Sequence, residues 1–272
     1  MIPVMRQILR LLVLMLPLGA TAQIFEVEQI EKSFFINNEP TITFLYPSQN
    51  PKAILIFIPG GEGSVGVKKD WGPNSRYFST YPFNRMLSSL ATPHLTEGTT
   101  SVVIFDSPKS LGYGNHLALR GARDHLVRIE STIRYYKAKY GLPIWLMGHS
   151  AGGVSLGEFT NHLSKHKKDN LIDGMIFSSG RKDSKFENTY NLPSLFIIHQ
   201  DDACLMTLPQ QNKDIYESFK QQNKAVTEFQ LVGGGMQQGD PCTSGFHMYF
   251  GSEVETARSI SRFIHRHNPA VQ

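Results

Sequence analysis

A serine at the centre of a glycine-rich turn is the residue of this chain best suited to chemistry. It is Ser150, in the G-x-S-x-G pentapeptide Gly148-His149-Ser150-Ala151-Gly152. A short apolar run at residues 144–147 precedes the turn, and a segment of helical character follows it. A strand, a sharp turn and a helix in this order expose a serine hydroxyl at the tip of the turn, where it can attack an acyl carbon. We therefore predict that Ser150 is a nucleophile, and that the N–H of Ala151 faces the oxyanion formed by that attack.

The elements that would hold this serine alternate between strands and helices. Further strands are predicted from apolar runs at residues 53–58, 100–105, 171–177, 192–199 and 227–232. Helices are predicted at residues 83–90, 123–139, 208–222 and 253–265. Residues 24–36 and 41–46 flank the turn Asn37-Asn38-Glu39-Pro40 and predict an antiparallel hairpin. This alternation indicates a mostly parallel sheet with helices on both faces.

The length and composition indicate one globular domain behind an export signal. The chain has 272 residues, of which 40% are hydrophobic and 18% charged. Residues 1–22 combine Arg6 and Arg10 with a short apolar core and a small-residue end, which is typical of a secretory signal peptide. Without those two arginines, 25 basic and 23 acidic residues leave a net charge of +2, too weak to suggest a nucleic-acid partner. We expect residues 23–272 to fold in the periplasm or outside the cell, with no stable membrane span after the signal is cleaved; a retained anchor is the alternative.

A second glycine cluster follows the predicted strand at residues 53–58. Gly61-Glu62-Gly63-Ser64-Val65-Gly66 matches the dinucleotide pattern G-x-G-x-x-G, but no helical periodicity comes after it. The favoured interpretation is a loop whose backbone approaches a substrate oxygen, with the N–H of Gly61 as the second oxyanion donor. A plain flexible turn is the remaining alternative.

With these motifs in order, the sequence resembles the α/β-hydrolase fold over essentially all of residues 24–268. The resemblance is to exported serine esterases and lipases, and it is carried by the entry hairpin, the glycine loop and the Gly148–Gly152 elbow. It implies a single α/β-hydrolase domain without a large cap, and a catalytic triad in the chain order serine, aspartate, histidine. The acid then comes from Asp201-Asp202, after a late strand, and we expect Asp202 rather than Asp201. The base is expected to be His247, shortly before the last helix.

A serine, histidine and aspartate together predict hydrolysis of a carboxylic ester through an acyl-enzyme. The expected partner is a small acyl substrate, and the chemistry needs no cofactor and no metal. Thioester, amide or peptide hydrolysis on the same triad remains an alternative, as does an inactive hydrolase fold used for binding. His162 and His166 have a spacing that can bind metal, but with no third ligand evident we read them as a solvated face. His149 is interpreted as a packing residue beside the serine.

The two cysteines, Cys204 and Cys242, lie close in sequence to the predicted acid and base. Disulfides persist in the compartments that a signal peptide leads to. If the fold brings Asp202 to His247, it also brings these two cysteines together. We therefore predict a disulfide between them, with two buried free thiols as the alternative.

Overall fold

The computed structural model describes residues 26–30, 39–67, 83–96, 99–112, 117–168, 170–187 and 191–270. Eight strands occur in these ranges: β1 Glu26–Ile30, β2 Thr41–Tyr46, β3 Ala53–Ile58, β4 Thr100–Asp106, β5 Ile144–His149, β6 Gly174–Ser178, β7 Ser194–His199 and β8 Thr227–Val232. Five α-helices accompany them: α1 Asn84–Leu90, α2 Arg123–Tyr140, α3 Gly152–Lys165, α4 Pro209–Gln222 and α5 Glu253–His267. Three short 3₁₀ helices lie at Lys109–Leu111, Leu117–Gly121 and Gly245–Met248.

The strands form one sheet in the order β1-β2-β4-β3-β5-β6-β7-β8. Strand β2 pairs antiparallel with both β1 and β4, and the pairings from β4 through β8 are parallel. Because parallel strands all end at the same edge of the sheet, the segments that follow β3, β5 and β7 meet there. This edge collects the predicted oxyanion loop, the serine elbow and the predicted acid.

The sheet is buried on both faces. Along β3, Leu55 and Phe57 pack in one core layer, while Ile54, Ile56 and Ile58 pack in the other. The first layer includes side chains of α1 and α5, and the second includes side chains of α2, α3 and α4. The continuous apolar run of β3 is therefore the expected pattern of a strand covered on both sides.

The predicted elements occur in the predicted order, and the differences are at their ends. The two strands predicted to start at Leu171 and Leu192 begin later, at Gly174 and Ser194. The N–H of Leu171 is already bound to the carbonyl of Lys168 at 3.1 Å, within a turn. The N–H of Leu192 is bound to the side chain of Asn223, also at 3.1 Å. Both N–H groups therefore bind partners outside the sheet, and each strand starts later than its apolar run. The hydrophobicity of a segment alone does not reveal such hydrogen bonds.

The ends of the chain are only partly described. Strand β1 pairs antiparallel with β2 as predicted, whereas most of the connecting turn lies outside the described residues. The predicted signal peptide, residues 1–22, also lies outside them. Within the described ranges, no helix has the length and apolarity needed to cross a membrane. The connection from β6 to β7 spans only residues 179–193, which is too short to form a separate cap domain.

Candidate active site

The Gly148–Gly152 turn is an elbow that only glycine flanks allow. Ser150 has a left-handed backbone with φ of 53°, which is unusual for a residue with a side chain. A Cβ on Gly148 would lie 2.4 Å from the carbonyl oxygen of Gly152, and a Cβ on Gly152 would lie 2.2 Å from that of Ile58. Since both obstacles are backbone atoms, no side chain fits at either flank. The motif is therefore a steric requirement of the turn, with the serine at its tip.

Neighbouring strands support the elbow through backbone hydrogen bonds. The N–H of Ser150 donates to the carbonyl of Ser178 at 3.1 Å, and the Ser150 carbonyl accepts from Gly153 and Arg181. Helix α3 begins directly after Ala151, whose N–H has no hydrogen-bond partner among the described residues. An open N–H at the positive end of a helix suits an oxyanion. The predicted role of Ala151 is thus compatible with its position.

The glycine loop after β3 lies directly against the serine. A Cβ built on Gly60 would be 2.8 Å from the Cβ of Ser150, so Gly60, which the sequence did not single out, makes the close approach. The carbonyl of Gly60 accepts the N–H of Gly63 at 2.9 Å. Gly61 has a φ of 53°, and its own N–H has no partner among the described residues. The loop thus brings one open backbone donor close to the elbow.

A buried carboxylate at the end of β4 holds the far side of this loop. Asp106 accepts the N–H groups of Val65 and Val67 at 2.6 Å each and that of Gly66 at 3.3 Å. Burial raises the pKa of Asp106, and these three donors act in the opposite direction. Because an internal carboxylate already occupies these N–H groups, they are not free to bind the phosphates of a dinucleotide. No role was predicted for Asp106 from the sequence. The feature that indicates one is the position of this acidic residue at the end of a buried strand.

The structure places Asp202, not Asp201, against His247. The Nδ1 of His247 lies 2.9 Å from Oδ2 of Asp202, and their side chains are 1% and 0% exposed. Asp201 is 54% exposed and lies 4.0 Å from His199. Both residues lie in the turn that follows β7, in which the N–H of Asp202 donates to the carbonyl of His199 at 3.1 Å. A buried imidazole with its Nδ1 on a carboxylate is oriented to use Nε2 for chemistry.

Two further groups fix the carboxylate of Asp202. Its Oδ1 accepts the N–H of Cys204 at 3.0 Å, and its Oδ2 accepts the hydroxyl of Thr207 at 3.1 Å. The same hydroxyl lies 3.2 Å from Nδ1 of His247. Thr207 is fully buried between Asp202 and His247, and nothing in its sequence context indicated this.

His149 packs between the base and the core. Its ring centroid lies 4.8 Å from that of His247 and 4.2 Å from that of Phe83. Burial, together with the nearby His247, lowers the pKa of His149 well below its usual range, so the ring is neutral. Its Nδ1 lies 3.2 Å from Oγ of Ser178. The residue before the serine is thus a packing group, and its contact places the predicted base, His247, beside the elbow.

Two more residues with side chains adopt the left-handed backbone around this site: Ser179 with φ of 38° and Tyr249 with φ of 57°. The hydroxyl of Tyr249 donates to the carbonyl of Ile197 at 3.0 Å and accepts from Ser179 at 3.2 Å. This buried hydroxyl ties the segment after His247 to β7 and to the segment that follows β6.

Cys204 and Cys242 form a disulfide in the structure, as predicted. It joins the segment after Asp202 to the segment before His247. Cys204 is buried, whereas Cys242 is exposed. The bridge therefore crosslinks the two loops that carry the predicted acid and base.

The His162–His166 pair differs from its prediction in one respect. Their ring centroids are 4.4 Å apart, and Glu130 of α2 lies 3.6 Å from Nε2 of His162, so a carboxylate is nearby after all. Glu130 is engaged by Lys168 at 2.8 Å and by Arg134 at 2.8 Å. Among the described residues, no group of three potential ligands is arranged for a metal ion. The cluster is an ion-pair network on the surface of α2 and α3.

The comparisons with known proteins concern the fold. No protein-family model and no curated protein matches this sequence. An α/β serine hydrolase without a lid from Xanthomonas campestris is 14% identical, with a TM-score of 0.56 over 90% of this chain and 95% of its own. Dienelactone hydrolase from Anabaena variabilis is 11% identical, with a TM-score of 0.56 over 90% and 98% of the two chains. Carboxyl esterase 2 from Tuber melanosporum is 10% identical, with a TM-score of 0.55 over 92% and 89%. The chain has the α/β-hydrolase fold.

Proposed function

We propose that this protein is a serine hydrolase that cleaves a carboxylic ester through an acyl-enzyme. The single observation that carries the proposal is the buried contact between His247 and Asp202 at 2.9 Å, beside a sterically enforced serine elbow. A fold alone does not define an activity, but this combination of groups matches a nucleophile with an oriented base.

In the proposed reaction, Oγ of Ser150 attacks the acyl carbon while Nε2 of His247 removes its proton. Asp202 keeps the imidazole oriented and stabilises its protonated form. The N–H groups of Ala151 and Gly61 stabilise the oxyanion, each by about 3 kcal/mol. The tetrahedral intermediate expels the alcohol, which takes the proton from the imidazole. Water then attacks the acyl-enzyme with the same base, releasing the carboxylic acid and restoring the serine.

Reaction with a fluorophosphonate probe tests the proposal, because only an activated serine is phosphonylated. We expect labelling of the native protein, no labelling of Ser150→Ala, and a loss of at least about a thousandfold in turnover by that variant. A folded native protein that neither reacts nor hydrolyses esters would identify the fold as a binding module. Near-native turnover by Ser150→Ala would exclude this nucleophile. Matched ester, thioester and anilide substrates then compare the three leaving groups, and we expect the ester to have the highest kcat/KM.

We further propose that residues 1–22 are removed on export and that residues 23–272 form the mature hydrolase domain outside the cytoplasm. The disulfide supports this, because such bridges persist in oxidising compartments. The intact mass of the exported protein tests it. A chain starting near Gln23 is expected, and a mass that includes residues 1–22 would contradict cleavage.

A further inference from the structure

A buried arginine lies beneath the glycine loop, and the proposed reaction has not used it. Arg120, in the 3₁₀ helix Leu117–Gly121, is 0% exposed. Its Nη1 donates to the carbonyl of Pro59 at 3.2 Å and to Oγ of Ser155 at 2.9 Å. Its Nη2 donates to the carbonyl of Gly61 at 2.9 Å. The guanidinium therefore spans the loop after β3 and the helix that follows the elbow.

Among the described residues, the hydrogen-bond partners of Arg120 are all uncharged. Burial, with the charge of Arg181, lowers its pKa to about 10, so the group is still protonated at neutral pH. Arg128 offers a direct contrast, because it is equally buried but pairs with the carboxylate of Asp124 at 2.8 Å. A buried charge without a counter-charge is costly for folding. Its presence beneath the loop that approaches the proposed nucleophile therefore points to a role beyond stability.

The two carbonyls that Arg120 holds lie on either side of the Gly60–Gly61 peptide. Glycine backbones have wide conformational freedom, so two adjacent glycines do not fix a peptide plane by themselves. The fork of Arg120 fixes the Pro59 and Gly61 carbonyls on either side of this plane. The hydrogen bond from the Gly63 N–H to the Gly60 carbonyl opposes rotation of the plane itself. The Gly60 carbonyl is held by Gly63, so the N–H of Gly61 points away from Gly63.

The third partner of Arg120 connects this loop to helix α3. Ser155, which is fully buried, accepts from Arg120 and lies 2.8 Å from Nε2 of His125. Burial lowers the pKa of His125 to about 3, so the ring is neutral. Its Nε2 and the hydroxyl of Ser155 share one hydrogen bond. Helix α3 starts directly after Ala151, which carries the other open N–H. One guanidinium thus fixes the spacing between the two segments that supply the oxyanion donors.

We propose that Arg120 is a positioning residue of the oxyanion hole, which holds the Gly61 N–H at a fixed distance from the Ala151 N–H. This inference rests on the proposed function and assigns a residue that never contacts substrate. The hole is useful only when both donors face the same oxygen. Loss of Arg120 is therefore expected to weaken transition-state stabilisation more than substrate binding.

The test compares Arg120→Met and Arg120→Lys with Arg128→Met, which removes an equally buried guanidinium bound to Asp124 and to the Glu39 carbonyl. For Arg120→Met we expect a fall in kcat of about tenfold to a hundredfold, with KM within about threefold, because a fully lost donor costs about 10² to 10³. Affinity for a boronic acid, which forms a tetrahedral adduct with the serine, should fall with kcat. Arg120→Lys keeps the charge but not the fork, and it should also lose at least about fivefold in kcat. Arg128→Met should lower thermal stability and leave kcat unchanged.

If the arginine variants do not fold, Ser155→Ala tests the positioning role of Arg120 instead. It removes the link from Arg120 to α3 together with the contact between Ser155 and His125, and we expect kcat and boronate affinity to fall together by at least about threefold. Unchanged kcat in a folded Arg120 variant, or equal losses in kcat from Arg128→Met, would overturn the positioning role. These results leave the proposed function intact if the native protein hydrolyses esters and reacts with the fluorophosphonate. If the native protein does neither, the proposed function itself fails.

Discussion

Breaking the Cys204–Cys242 disulfide should weaken both the fold and the proposed triad. The two cysteines are separated by 38 positions in sequence. Loop-closure entropy for a crosslink of this length corresponds to about 4 kcal/mol at 25 °C. Since one domain is usually stable by only about 5–15 kcal/mol, this is a large share of the total. For a domain of this size, the midpoint of thermal unfolding should fall by roughly 8–16 °C.

Activity should fall as well, because the bridge is bonded to the acid loop at close range. The N–H of Cys204 donates to Asp202, and the carbonyl of Cys204 accepts from the N–H of Thr207 at 2.9 Å. A loosened loop allows Asp202 to move relative to His247, and small displacements of reacting groups cost large factors in rate. We expect kcat to fall by about tenfold with a smaller change in KM.

The informative variant is Cys242→Ala, because Cys242 is exposed whereas Cys204 is buried. It removes the bridge and leaves the buried sulfur in place, so lost packing does not contribute. Urea unfolding and ester turnover are measured on this variant, on the native protein and on the native protein after reduction. The variant and the reduced protein should behave alike. Unfolding free energies within about 1 kcal/mol of the native value would refute the entropy reasoning, and two alkylatable thiols in the exported native protein would reject the bridge.

Three further outcomes are expected. Asp202→Asn should lower kcat by about 10³ to 10⁴-fold because the imidazole is no longer oriented. Asp201→Asn should keep kcat within about threefold of the native value. Equal losses of kcat in steady-state assays would contradict the assignment of Asp202 as the acid. Gly148→Ala places a Cβ 2.4 Å from a backbone oxygen and should lower the free energy of unfolding in urea by about 2 kcal/mol or more, so a native-like value would contradict the steric account. Burial raises the pKa of Glu130, but hydrogen bonds from two basic side chains outweigh it and lower this pKa below its ordinary value. Glu130→Gln should therefore lower the free energy of unfolding by about 0.5 kcal/mol at pH 7, and this loss should disappear as the pH falls below about 4. The exposed control Glu217→Gln should not show this pH dependence.

Local patterns were enough to predict the sheet and the elbow. Strand β3 is apolar at every position because it is buried on both faces, so its limits were predicted to the residue. The requirement for glycine at positions 148 and 152 was predictable because a backbone oxygen excludes any side chain at each position. The signal of β3 arises from simple burial, and that of Gly148 arises from a contact within the turn. Gly152 faces the distant Ile58, and it was predicted through the motif that contains it.

The supporting contacts of the site could not be predicted, because they join distant parts of the chain. Arg120 reaches Pro59 across 61 positions, Thr207 reaches His247 across 40, and Asp106 reaches Val67 across 39. In sequence, each is an ordinary polar residue at or near the end of an element. Their roles depend on which loops the sheet order brings together, and periodicity carries no information about that order.

The left-handed backbone at Ser150, Ser179 and Tyr249 has a consequence for how this protein can be made more heat-resistant. Each such residue costs about 1–3 kcal/mol relative to a relaxed backbone, and glycine is the residue that relieves the cost. At all three positions, however, the side chain is engaged: Ser150 is the proposed nucleophile, and the other two share a buried hydroxyl contact. At Ser150, selection for thermal stability alone would favour glycine and would remove the proposed nucleophile. At Tyr249, the relieved strain is smaller than the loss of a fully buried aromatic side chain. Stabilising changes should therefore be sought elsewhere, for instance on the exposed faces of α4, where no catalytic group has to be preserved.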